Sequence, residues 1–143
     1  MSADGSVVLF FGDQDHKFRI AIGEFRELQE KVNKRRTDMG LNPIGPTTLA
    51  NLLRANDAWP DDVRDILRIG LVGGGAKPAE AHRMLTLYFD NKPPIEFYMT
   101  AFAVLMAAFV GVEGDEISVK KKTMPTDRTV PSGTPTSTAT APS

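Results

Sequence analysis

Apolar and polar positions alternate in two different periods along this chain. Val7 to Phe11 is an unbroken apolar run, and Lys17 to Ile22 sets Phe18, Ile20 and Ile22 against Lys17, Arg19 and the small Ala21. Both segments read as strands, joined by a polar turn at Gly12 to His16. A lone hairpin is marginal in water, so its apolar face has to be covered by elements further along the chain. From Gly23 the period lengthens. Phe25, Leu28 and Val32 fall on one helical face, Glu24 and Glu27 lie near the positive end of the dipole, and Lys34, Arg35 and Arg36 lie near the negative end.

The glycines and prolines of "MGLNPIGPTT" break the chain after that helix. Thr47 or Thr48 then caps a short helix carrying Leu49, Leu52 and Leu53. Pro60 opens the next helix, with Asp61 and Asp62 in its first turn, a stripe of Val63, Ile66, Leu67 and Leu71, and a stop at Gly73 to Gly75. Pro78 opens a fourth, with Ala81, Met84, Leu85 and Tyr88 as its stripe beside Phe89, and an apolar helix runs from about Ile95 to Val110. The expected fold class is α+β, mainly α: an N-terminal β-hairpin packed on four or five helices. Residues 1–117 form the globular unit, and 118–143, dominated by Thr, Pro, Ser and Ala, form a disordered C-terminal tail because they hold too little apolar surface to offset the entropy of ordering.

Composition narrows the function more than it names it. The 143 residues carry a formal net charge of −1 and no cysteine, which removes disulfides, thiol catalysis and thiolate metal sites and gives no overall basic field for nucleic acid. The N-terminus lacks the basic and long apolar regions of a signal peptide. The longest apolar run, Phe97 to Val112, is short of the roughly 20 residues that span a bilayer, so no membrane association is expected.

No near-motif completes a chemical site. Gly70 to Pro78 has the glycine spacing of a phosphate loop, but Ala76 displaces the lysine and Pro78 stands where Ser or Thr would bind magnesium. Asp13, Asp15 and Glu24 match the first, third and twelfth positions of a calcium loop whose fifth position and obligatory glycine are here Lys17 and Phe18. His16 and His82 have no second imidazole at ligand spacing. No catalytic, cofactor or metal site is therefore expected. A helix pair within residues 49–72 supports the alternative, a small DNA-binding regulator, although Asp61, Asp62 and Asp65 would repel phosphate. The apolar last helix offers Tyr98, Phe102, Leu105 and Phe109 as candidate partner-binding residues or as core.

"GDQDHKFRIAIGEFRELQEKVN", followed by "WPDDVRDILRIGLVGGG" and "AFAVLMAAFVGV", resembles the tail assembly chaperone family of long-tailed phages and gene transfer agents over roughly Gly5 to Val112. The resemblance implies a non-enzymatic factor in the cytoplasm of the bacterial host that binds and solubilises the tape-measure protein, helps recruit tail-tube subunits and is left out of the finished virion. Its implied partners are the tape-measure protein and the tail-tube protein, with homo-oligomerisation open and neither nucleic acid nor membrane involved. The tail after Ser118 is longer than the resemblance leads one to expect.

Overall fold

A computed structural model describes residues 4–111. It places strands β1 (Val7–Phe11) and β2 (Gln14–Phe18) ahead of helices α1 (Ile22–Asp38), α2 (Pro46–Arg54), α3 (Pro60–Gly73) and α4 (Pro78–Tyr88), and a 3₁₀ turn at Pro94–Phe97 leads into α5 (Tyr98–Val110). The class is α+β, mainly α, with the hairpin laid against the helices as the sequence pattern indicates. The tail expected to be disordered lies outside the described residues.

The hairpin differs from expectation in register. β2 ends at Phe18 instead of running from Lys17 to Ile22, because the turn is only Gly12-Asp13, with Phe11 opposite Gln14 and Val7 opposite Phe18. Gly12 takes φ +76°, the positive value that a tight two-residue turn demands at its first central position. Side chains alternate across a strand, so this register sends Phe11 and Phe18 inward and Val8 and Phe10 outward. Ile20 leaves the sheet but stays buried, whereas Ile22 is 65% exposed at the first turn of α1, contrary to its expected place on the hairpin's apolar face.

Helix entries follow the local chemistry. Pro46, Pro60 and Pro78 each occupy a first turn, where the missing N–H costs nothing. The cap before Pro46 is Gly45 and not Thr47 or Thr48, since the proline already fixes the helical start ahead of both. At α1 the Glu24 carboxylate accepts the Ala21 backbone N–H at 3.0 Å, satisfying a donor just before the helix.

The central helix is α3, and it touches α1, α4, α5 and β2. Its Val63, Ile66, Leu67, Ile69 and Leu71 are all buried, each contributing about 1.5–3 kcal/mol of transfer free energy. The apolar α5, whose residues the sequence offers as core or as partner surface, packs on α2 and α3 and leaves Met99, Phe109 and Val110 exposed. At the hairpin end Phe11 is the hub of an aromatic cluster, edge-on to Phe97 at 5.8 Å, Tyr88 at 6.1 Å and Phe18 at 6.3 Å between centroids.

The glycines that close α3 stop the helix and also form a packing surface. Gly70 lies under Phe18 and Val104, and its carbonyl accepts the Arg19 N–H at 2.9 Å. Gly73 and Gly74 press against the backbone carbonyls of Arg19 and Lys17 so closely that a Cβ on either would overlap the oxygen. The end of the hairpin is docked on the end of α3 by backbone contact.

Candidate interaction surface

The four candidates on the last helix do not form one exposed stripe. Tyr98 is buried, and its hydroxyl donates to the Ala58 carbonyl at 2.6 Å. Leu105 is fully buried, Phe102 is half-buried, and Phe109 is 52% exposed. Leu105 and Phe109 nevertheless share an apolar groove of about 480 Å³ with Phe25 and Val32 of α1, Ile44 of the α1–α2 connection and Leu49 of α2. Tyr98 and Phe102 are not among its lining residues.

One side chain ties the far wall of the groove to α1. Asn33 donates its amide to the Ile44 carbonyl at 3.1 Å and accepts the Ile44 N–H at 2.8 Å, clamping the connection to α1. Arg36 adds a bond from Nε to the Asn42 carbonyl at 2.6 Å. Ile22, at the groove's end, and Phe109 present apolar surface to water there. Further exposed apolar side chains lie on the outer face of β1, where Val8 is 60% and Phe10 64% exposed. The sequence pattern did not single out these two, since five consecutive apolar residues carry no inside-outside alternation; only the turn fixes which of them face out.

Among the described residues, the partly buried charges around α3 tie helices together. Arg35 reaches from α1 to Asp62 at 2.7 Å and Asp65 at 2.6 Å on α3, and Arg68 links Asp65 at 3.2 Å to Glu27 at 3.3 Å. Burial pushes the Asp62 carboxyl above the ordinary aspartate range, with Arg35 offsetting part of that effect. Arg64 forks onto Asp90 with bonds of 2.8 and 3.0 Å, and the hydrogen bond holds the Asp90 carboxyl below its ordinary range.

This network gives the DNA-binding alternative no support. α3 would be the recognition helix of the 49–72 pair, but it is enclosed by three helices and the hairpin, and its Arg64 and Arg68 are both paired. The basic cluster at Lys31 to Arg36 is likewise engaged through Lys34 with Asp38, Arg35 with α3 and Arg36 with a carbonyl. Among the described residues no group of three or more His, Cys, Asp or Glu side chains converges as a metal site, and no helix is long and apolar enough to cross a membrane.

A helical domain with an apolar groove, an exposed apolar strand face and interior charges committed to structure fits contact between proteins. The family model described as phage tail tube protein, GTA-gp10, matches residues 4–111, and so defines a tail-related protein of phages or gene transfer agents. The chain belongs to that family. No curated protein and no solved structure matches it.

The family match corrects two expectations drawn from the resemblance. A tail tube is a structural part of the particle, so the description contradicts a chaperone whose task is to bind and solubilise the tape-measure protein. It equally contradicts a factor confined to the host cytoplasm and left out of the finished virion. The phage and gene-transfer-agent context stands. The motifs that carried it are segments of fold: the tight hairpin turn, the Glu24 entry to α1 and the glycine contact at the end of α3. Such features identify relatives without specifying what the relatives do.

Proposed function

We propose that the protein is a non-enzymatic structural subunit of a phage-like tail, working by contact with further copies of itself or with other tail-tube subunits. The observation that carries this reading is the tail tube family match over residues 4–111, on a domain that keeps large apolar side chains at its surface. Ile22, Phe109, Val8 and Phe10 are each more than half exposed, and groups of large apolar residues left in water on a small domain mark surfaces that meet another protein. The groove between α1, α2 and α5 supplies a concave apolar seat with a fixed wall, and the enclosed core and paired charges supply a rigid block. Neither needs chemistry to act.

The reading is tested by sedimentation velocity of the purified full chain over a concentration series, with electron microscopy of the concentrated sample. Concentration-dependent growth into species larger than a monomer is expected. A monomer at every concentration, with no association on mixing with the tail-tube subunits of the same particle, would overturn it.

A further inference from the structure

We infer that β1 is an open pairing edge, and that it takes the β1 strand of a second copy in antiparallel register, Val8 opposite Phe10. The inference deepens the structural-subunit reading and rests on it. A two-residue turn makes the flanking Phe11 and Gln14 a hydrogen-bonded pair, and alternate pairs along the ladder, Leu9 with His16 and Val7 with Phe18, repeat that arrangement. Val8 and Phe10 therefore direct their N–H and C=O groups away from β2. Among the described residues, neither has a backbone or side-chain hydrogen bond beyond the hairpin ladder.

The two edges of the hairpin are treated differently by the fold. On β2 the Lys17 carbonyl and the Arg19 backbone that follows it are covered by the end of α3, through Gly74 and through the bond from Arg19 N–H to the Gly70 carbonyl. β1 has none of the sequence devices that keep an edge from pairing, since Val7 to Phe11 holds no charge, no proline and no glycine. Its outward side chains are Val8 and Phe10, while the outward charges, Lys17 and Asp15, sit one strand back.

A two-fold axis at Leu9 makes this edge complementary to itself. It sets Val8 of each copy against Phe10 of the other, so that the N–H and C=O groups of both residues find partners in reciprocal bonds. The same operation gives each row across the joined sheet one cation and one anion: Lys17, Val8, then Phe10 and Asp15 of the second copy. No like charges are opposed. Covering the two valines and two phenylalanines removes on the order of a few hundred Å² of apolar surface, less than the roughly 1,000 Å² of an independently stable interface. The contact is therefore weak alone and suited to an assembly in which each copy makes more than one contact.

The absence of cysteine gives a clean test. Residues opposite one another in a hydrogen-bonded pair are about 5.5 Å apart at Cα, within disulfide reach, whereas diagonal neighbours about 7–8 Å apart are outside it. Full chains carrying Val8→Cys and Phe10→Cys are oxidised separately and as a mixture, and the products are mapped by peptide mass spectrometry. The mixture should give a dimer linked from position 8 to position 10, with little dimer from either variant alone. Dimer yield in the mixture no greater than in the separate samples overturns the inference. Amide exchange on the unaltered chain tests it without substitution: protection at Val8 and Phe10 should rise with protein concentration, and concentration-independent exchange there overturns it. Self-association by sedimentation together with a negative crosslink would reject this edge while leaving the structural-subunit reading in place.

Discussion

Gly73 of α3 lies directly against the backbone carbonyl of Arg19, with no room between them for a side chain. This contact helps set the position of the hairpin on the helices, where the sequence shows only a helix stop. Gly73→Ala must push helix and chain apart, and Gly74→Ala must do the same at Lys17. Each should lower stability by about 3 kcal/mol or more, at or beyond the upper end of ordinary overpacking because the obstructing atom is backbone. Gly23→Ala is the control: it lies in the first turn of α1 with nothing within 4 Å, and should be neutral or stabilise by up to about 1 kcal/mol. Urea unfolding of the three variants checks the order.

Arg35 supplies the second prediction. Arg35→Met removes the cation that holds buried Asp62 and Asp65. The cost should be about 3 kcal/mol, since two carboxylates are left without their partner, and Arg68 reaches only Asp65. Restoring much of that loss in Arg35→Met with Asp62→Asn and Asp65→Asn would identify the unpaired charges as the cause. A single-variant loss below about 1 kcal/mol would contradict the clamp.

The Arg64–Asp90 pair predicts an acid-side pH dependence. The Asp90 carboxyl is lowered in the fold by its hydrogen bond to Arg64, so the stability it contributes is present above its unfolded value of 3.8 and is lost as pH falls through the lower folded value. Asp90→Asn should therefore flatten the fall in stability in that acid window while leaving the shape of the profile near neutrality unchanged. Thermal melts of both proteins as a function of pH give the comparison. Asp62, whose carboxyl is raised by burial, acts with the opposite sign as its penalty is relieved on acidification, so the Asp90 effect is read from the difference between the two profiles.

Tyr98, Leu105 and Phe109 should separate by role. Leu105→Ala removes a fully buried side chain and should cost about 2–5 kcal/mol. Tyr98→Phe leaves the Ala58 carbonyl without its donor and should cost about 1–2 kcal/mol. Phe109→Ala should change stability little and reduce self-association, because its ring is half in water at the mouth of the groove. Equal destabilisation by all three would mean that Phe109 is core.

Much of the fold was legible because local signals and tertiary packing agree. Pro60 and Pro78 mark two helix starts, and the apolar stripes of α1 and α3 are the buried faces. What was not legible depends on contacts distant in sequence. The strand register depends on the positive φ of Gly12, whose Cα packs against the Tyr88 ring so tightly that a side chain there would overlap it. The groove joins Phe25 and Val32 to Ile44 and Phe109 from opposite ends of the chain, and no periodicity links such positions. Function was least legible of all. A surface for protein contact carries no convergent chemistry, so the phage-tail context could be read from fold motifs while the distinction between assembly factor and structural part could not.

That distinction is the central claim, and quantitative mass spectrometry of purified, finished particles tests it most directly. A structural subunit should be found in intact tails at a fixed ratio to the other tail proteins, resistant to removal by washing. Absence of this chain from finished particles, while it is abundant in the lysate of the same producing cells, would contradict the claim.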